Sequence, residues 1–433
     1  MALSYKTALT TINNIFNVKT SLMKKAKKLL MIIGAIYLAL SCVETGTIDH
    51  TGVTVIELDP DKTEAIFLDS IVHNVRFVPL QTTSECLIES YSDIRLTGGK
   101  IFIHSDTPVQ DAIFVFDMNG AFLFKIDSRG RGPGEYLEIK GFHVNVESGE
   151  ILISDVNKIL IYDFNGMFLK SHSLEGFDPL GDLAFFSDCY FLCAVSYEEL
   201  QYSDKTINFM VKFDKDLNLI SHTLPINKRY YFSTHFRRSQ LLIHHKDTLF
   251  YIDPESPVIF TYDKEGFLPR YAYNYGAYNV SKEHEIKFYE LDGPNLAAME
   301  YARVNKLAFP GSETFYFSDK YIFIETIISY DNYRFFYNPD NGKSVRLQGK
   351  SSTFRAMYPS LVRCYENQFF GVKEASGILH SRDRLIEFKN EKSAMSLDLS
   401  GPFSHTHFSR FDSIKPDDNA IIVFFDIKDD FLK

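Results

Sequence analysis

A short pattern recurs along the chain and limits what it can fold into. "IFVFDMNGAFLFKI" at 113–126 returns as "ILIYDFNGMFLKSH" at 159–172, "FMVKFDKDLNLISH" at 209–222 and "VIFTYDKEGFLPRY" at 258–271, with a worn copy, "RFFYNPDNGKSVRL", at 334–347. The aspartates Asp117, Asp163, Asp214 and Asp263 stand 46, 51 and 49 residues apart. Each copy is an apolar β run, a turn built from Asp, Asn or Gly, and a second β run, which is the signature of a hairpin. Another hairpin precedes each copy, at 94–105, 143–155, 183–195, 240–253 and 313–326. The unit is four antiparallel strands in roughly 45–50 residues, the period of a β-propeller blade.

Five units can be counted. A sixth needs strands from both ends: "AIFLDSIVHNVRFVPL" (65–80) early, "NQFFGVKE" (367–374) and "AIIVFFDI" (420–427) late. Sharing one blade between the termini closes the ring and removes free sheet edges. The expectation is an all-β, six-bladed propeller of four-stranded antiparallel blades over residues 63–433, with five or seven blades as the alternatives. Composition agrees, since 39 Phe and 25 Tyr favour strands.

The N-terminus reads as an export signal. "MKKAKKLLMIIGAIYLALSC" from Met23 has a basic start, an uncharged run from Leu29 to Leu40 and a small residue, Ser41, before Cys42. The run is too short for a membrane span, which takes ~20 residues. Ala39-Leu40-Ser41-Cys42 resembles a lipobox. That resemblance implies lipidation of Cys42 and makes the membrane a partner; a plain cleaved signal is the alternative. The division expected is an upstream start extension (1–22), a lipoprotein signal peptide (23–41), a tether (42–62) and the propeller (63–433).

Residues 1–42 hold six lysines and no acid, and removing these from the net charge of −10 leaves −16 on the rest. So acidic a body argues against nucleic acid as a partner. Cys189 and Cys193 lie four apart on one predicted strand, with no second pair to complete a zinc set, so Cys86, Cys189, Cys193 and Cys364 read as buried thiols. No cofactor and no metal are expected. His405 and His407 in "SHTHF" have no third ligand anchored nearby, and His244-His245 falls in a tight turn.

"VRFVPLQTTSECLI" (75–88), "FVFDMNGAFLFKI" (114–126), "GRGPGEY" (130–136), "ILIYDFNGMFL" (159–169) and "DDNAIIVFFDIK" (417–428) together resemble the six-bladed, NHL-like β-propeller lipoproteins of anaerobic gut Gram-negative bacteria. The resemblance spans nearly all of the chain after the signal. It implies this fold and an address in the cell envelope, at the outer membrane on either side. It does not imply a ligand. One departure is Asn419-Ala420, where such proteins carry Asn-Pro before the final strand.

Strand direction alternates within a blade, so A–B and C–D turns share one end of the ring, and B–C loops and D–A links share the other. The first set is tight. The second includes "SYEELQYSDKT" (196–206), "SRGRGPGEYLEI" (128–139), "PINKRYYFSTHFRRS" (225–239), the 274–306 insertion and the 375–419 stretch. Long loops on a rigid scaffold are where function gathers. On that face Arg129, Arg131, Glu135 and Tyr136 are candidate ligand-binding residues, as are Arg229, Tyr230, Tyr231, Arg237 and Arg238. Guanidinium forks and aromatic faces suit an acidic sugar or a peptide carboxylate. "RGRGPGEY" is not a phosphate loop in the usual sense, because Pro133 lacks an N–H and β sequence follows it. Arg131 paired with Glu135 or another acid is the expected local arrangement. The insertion favours helix around Ala297–Ala302 and serves either as a lid over the funnel or as packing on the ring. The function expected is non-catalytic binding of a glycan, peptide or envelope protein; a propeller lyase or hydrolase with an acidic or cation site at the funnel is the alternative.

Overall fold

The computed structural model describes residues 52–432, apart from 205, 228–240, 254–255, 264–265, 292–295, 310–311, 349–360, 366, 391–410 and 429–430. Three short strands open the fold: β1 (Thr54–Glu57), β2 (Glu64–Phe67) and β3 (Val72–Pro79). Five four-stranded units follow. Blade 1 is β4 (Asp93–Thr97), β5 (Lys100–Asp106), β6 (Asp111–Asp117) and β7 (Phe122–Ile126). Blade 2 is β8 (Gly141–Asn145), β9 (Glu150–Ser154), β10 (Lys158–Asp163) and β11 (Phe168–Ser173). Blade 3 is β12 (Phe177–Phe186), β13 (Cys189–Ser196), β14 (Thr206–Asp214) and β15 (Leu219–Asn227). Blade 4 is β16 (Leu242–His245), β17 (Thr248–Ile252), β18 (Val258–Asp263) and β19 (Gly266–Asn274). Blade 5 is β20 (Thr314–Phe317), β21 (Ile322–Ile328), β22 (Asp331–Tyr337) and β23 (Ser344–Gln348).

Blade 6 takes strands from both ends of the chain. β24 (Leu361–Tyr365), β25 (Gln368–Lys373) and β26 (Ile421–Ile427) are completed by β3, which runs antiparallel to β26 with Phe77 opposite Val423. Inner strands β8 and β12, β12 and β16, β20 and β24, and β24 and β4 lie side by side. The six sheets therefore form a ring, a six-bladed β-propeller.

Both faces of a blade are covered by neighbours, so its strands are apolar throughout rather than alternating. In "DAIFVFD" of β6 every residue but the last is buried. Each blade-to-blade interface carries its own apolar cluster, from Phe114, Ile94 and Phe424 between blades 6 and 1 to Phe336, Phe369 and Phe425 between blades 5 and 6.

The repeated aspartate of the sequence is the lock of the C–D turn. Asp117 Oδ1 accepts the N–H groups of Asn119 (2.8 Å) and Ala121 (2.9 Å). Asp163 does the same for Asn165 and Met167, both at 2.8 Å, and Asp214 for Asp216 and Asn218, both at 2.8 Å. In the worn copy Asn338 takes the role, accepting from Asp340 at 2.9 Å. A short side-chain acceptor two and four residues before the amides is what such a turn needs.

The N-terminal strands differ from expectation. The stretch 65–80 splits in two, and only its second half closes the ring. β2 adds to blade 5 as a fifth strand, parallel to β23. β1 falls within the stretch expected as tether and adds to blade 4, parallel to β19. The chain thus forms a belt along the outer edges of blades 4, 5 and 6. The outermost strand of a blade leaves a row of unpaired backbone groups, and the belt fills it. Its apolar residues also enter the core. Ile56 and Leu58 are wholly buried among Ile252, Ile259, Tyr273 and Phe315.

Asn419 latches the closure. Its Oδ1 accepts from Ile88 N (2.9 Å), and its Nδ2 donates to the carbonyls of Gln81 and Cys86, both at 2.8 Å. It thereby fastens the link that carries β3 into β4. Alanine in place of proline at 420 leaves an N–H, which donates to Tyr91 Oη at 2.7 Å. Asn419→Ala strands the buried donor of Ile88 and the buried carbonyl of Cys86, and should destabilise the fold by about 2–3 kcal/mol in urea denaturation.

Candidate functional site

The α-helices among the described residues all fall on the B–C and D–A end. α1 (Tyr197–Tyr202) joins β13 to β14, α2 (Lys282–Glu290) and α3 (Leu296–Asn305) lie between β19 and β20, and α4 (Ala375–Asn390) joins β25 to β26. The α2–α3 pair has its own small core of Phe288, Ala298, Ala302, Leu307 and Phe309. It is fastened to the B–C corner of blade 5, where Phe309 N donates to Ile327 O (2.8 Å) and Ser329 N to Leu307 O (3.0 Å). Of the two roles expected for the insertion, this anchorage is packing on the ring.

The glycine-rich link between blades 1 and 2 does cradle an anion, and the anion is its own Glu135. Gly132 N donates to Glu135 Oε2 at 2.7 Å. A Cβ on Gly130 would stand 2.1 Å from that same oxygen. Lys158 Nζ and Tyr162 Oη hold the carbonyls of Gly132 and Gly134 at 3.2 and 3.0 Å. With Glu135 turned to the loop amide, Arg131 is exposed and has no ion pair among the described residues, against the pairing expected. Arg129 is exposed too and donates to Pro108 O at 3.2 Å.

Tyr136 is a correction. It is 0% exposed, and its hydroxyl donates towards the Asp111 and Ile126 carbonyls at 2.6 and 3.3 Å. Burial pushes its phenol well above the ordinary range. Tyr136 is the peg that fixes the link to blade 1, buried rather than displayed on the long-loop face. Asp111 completes the fixture: Oδ2 accepts from Ile139 N (3.0 Å) and Oδ1 faces His104 Nε2 (2.9 Å). Arg229, Tyr230, Tyr231, Arg237, Arg238, His405 and His407 lie outside the described residues, as do Cys42 and the signal segment.

A dense charge cluster lies in the central channel, where the sequence pointed to no particular residue. Arg363 of β24 donates to Asp93 Oδ1 at 2.9 Å, across from blade 6 to blade 1. Arg95 of β4 donates from Nε to Asp93 Oδ2 and from Nη2 to Asp182 Oδ1, both at 3.0 Å. Asp182 of β12 then accepts from Leu242 N of blade 4 at 2.8 Å. One chain of buried pairs therefore ties blades 6, 1, 3 and 4 from within. Gly141 of blade 2 makes room, since a Cβ there would stand 2.3 Å from Gly181 O. Arg95 also lies over the Phe142 ring, 4.6 Å from its centre.

Two arginines and two carboxylates balance. Burial alone would raise Asp93, but Arg95 and Arg363 outweigh it and hold its carboxyl below the ordinary range. At Asp182 burial wins over Arg95 and raises the carboxyl. The signal in the sequence was charge inside apolar β runs, in "SDIRLTG", "PLGDLAFF" and "LVRCY".

His143, the middle residue of β8, lines the same channel. Burial, then Arg95 and His244, push its imidazole from the ordinary 6.5 down to about 3. The fold thus prefers neutral His143. Its contribution to stability is complete above pH 6.5 and is lost as pH falls towards 3, at about 1.4 kcal/mol per pH unit. Urea denaturation at pH 7 and pH 5 should show a His143→Gln variant losing less stability on acidification than the wild type, by about one proton's worth of slope. His172 and His245, also lowered by burial, add to both slopes equally.

Cys86, Cys189, Cys193 and Cys364 are unpaired. No helix among the described residues is long and apolar enough to cross a membrane. Together the closed ring of six sheets and the ion pairs between its inner strands define a six-bladed β-propeller scaffold. Residues 53–426 match the family described as Domain of unknown function (DUF4934), and the chain belongs to that family. Among solved structures it is similar to a Bacteroides fragilis protein assigned as exported, at 17% identity and a TM-score of 0.67, over 87% of this chain and 100% of that one. It also matches a member of the DUF4221 family from Bacteroides vulgatus at 10% identity and a TM-score of 0.46, over 83% and 97% of the two chains. No curated protein matches the chain.

Proposed function

We propose that the protein is an exported lipoprotein of the cell envelope, anchored through lipid at Cys42, whose propeller binds a glycan, peptide or protein partner through the B–C and D–A face without catalysis. The observation that carries this is the asymmetry of the ring. Every α-helix among the described residues and the Arg129–Arg131 link lie on one face, while the C–D turns opposite are short and locked by Asp117, Asp163 and Asp214. The signal pattern and lipobox before Cys42, and a Bacteroides neighbour assigned as exported, support the address. The carboxylates at the funnel are engaged by arginines rather than open to a substrate, which favours binding over lyase or hydrolase chemistry.

A glycan and peptide array probed with the protein tests this, alongside Arg131→Ala and Arg237→Ala. Each arginine lost from a desolvated contact should weaken binding by about tenfold or more. Binding that both variants retain at full strength sinks the assignment of these residues.

A further inference from the structure

The first strand fixes the end of the ring from which the chain arrives. β1 is parallel to β19, the outer strand of blade 4, with Thr54 beside Tyr271 and Glu57 beside Asn274. β19 leaves its C–D turn at Gly266 and ends on the D–A side, so β1 too runs from the tight-turn end towards the long-loop end. The backbone directly ahead of Thr54 therefore comes from the tight-turn side. Thr54 stands beside a residue five along β19 from Gly266, about 17 Å from that end of the blade. Residues 43–53 separate β1 from Cys42, a reach of about 40 Å at full extension. To bring the opposite face to the anchor, the chain would have to reverse beside β1 and pass the α2–α3 insertion, which follows β19.

The same end carries exposed apolar side chains close to blade 4. Met167 and Leu169, where β11 leaves its turn, and Leu219 and Ile220, where β15 leaves its own, are each half exposed or more. The two strands adjoin, since the His172 ring of β11 stands 6.2 Å from that of Phe213, and Phe213 pairs with Leu219. Blade 3 is joined in turn to blade 4, where Lys212 Nζ donates to Tyr262 Oη at 2.7 Å. Lys170 and Lys215 are exposed among these apolar residues. On blades 4 and 5, where the belt runs, no large apolar side chain at the start of the outer strand is exposed, among the described residues. Apolar side chains mixed with lysines suit the interface of a bilayer, where the one enters the acyl boundary and the other reaches lipid phosphate. We propose that the rim formed by the C–D turns of blades 2 and 3 rests on the lipid bilayer, with Met167, Leu169, Leu219 and Ile220 in the headgroup region. The long-loop face then points away from the membrane, towards its partner. This rests on lipid anchoring at Cys42 and gives the anchored propeller an orientation.

The sequence has no tryptophan, so a single one reports its own surroundings. Met167→Trp and Ile220→Trp probe the rim, and Val109→Trp, in the B–C turn of blade 1, probes the opposite face. All three positions are exposed, and the ring should tolerate each change. Residues 43–433, which contain every described residue, are captured by an N-terminal histidine tag on phosphatidylcholine vesicles that hold a nickel-chelating lipid and a brominated phosphatidylcholine. Capture should shift the emission of Met167→Trp and Ile220→Trp to the blue, and the bromines should quench it by about half or more, while Val109→Trp is unchanged. Quenching of Val109→Trp, or none in Met167→Trp and Ile220→Trp, overturns the proposal. A doubled mass before capture, with both rim probes already shielded, assigns the rim to a second copy and overturns it too. The anchor is tested separately by incorporation of labelled palmitate into the full chain and its loss in Cys42→Ala. An unlabelled full chain overturns the anchor, whereas a labelled one with the wrong quenching pattern overturns the orientation alone.

Discussion

Replacing Arg95 with alanine should cost about 3–5 kcal/mol of folding stability, the usual penalty for breaking a buried ion pair by removing one partner. Asp93 and Asp182 have side chains only 5% and 0% exposed, and Arg95 serves both. Without it Asp182 keeps backbone N–H groups from Leu183 and Leu242 but no countercharge. Lost packing over Phe142 adds to the effect but does not dominate it. A double-mutant cycle separates the two causes. Adding Asp182→Asn to Arg95→Ala removes the orphaned charge and should recover part of the loss, which a packing defect would not allow. Chemical denaturation at neutral pH reads all four corners. A loss within about 0.5 kcal/mol, as for an ordinary surface change, would mean that the pairs do not hold the ring.

The second large effect belongs to the belt. Ile56 and Leu58 are each 0% exposed in the core between blades 4 and 5. Truncating a buried leucine or isoleucine to alanine costs about 2–5 kcal/mol. The backbone here is held by pairing with β19 and by Leu58 N to Asn274 O at 2.8 Å. Ile56→Ala with Leu58→Ala should therefore loosen β1 from β19 as well as open a cavity. The losses of two such neighbours need not add. Urea denaturation gives the total, and hydrogen exchange at Tyr271 to Asn274 shows whether the strand has lifted. Stability close to that of the wild type would mean that β1 is ornament to a ring closed by β3 alone.

The blade repeat was legible because one turn chemistry recurs with it. An aspartate feeding two amides, at Asp117, Asp163 and Asp214, needs a fixed spacing, and Asn338 keeps that spacing where the letter changes. The closure was legible in outline, because β25, β26 and β3 are apolar runs like any other. The belt was not. β1 and β2 are four residues each and add in parallel to blades far ahead in sequence, so no local period announces them. The channel network was hidden for a related reason. Asp93, Arg95, Asp182 and Arg363 meet only when the ring is closed, and 270 residues separate Asp93 from Arg363. Tyr136 was misjudged because a glycine-rich loop suggests exposure, whereas this one is pegged into the core by the tyrosine.

The proposed recognition is confined to one face of the ring. Hydrogen–deuterium exchange with and without a ligand found on the array measures this directly. Protection should appear in the 127–140 link and in the 276–309 insertion, and the C–D turns at 117–121, 163–167 and 214–218 should be unchanged. Protection concentrated in those tight turns, with the link and insertion unaffected, would contradict it.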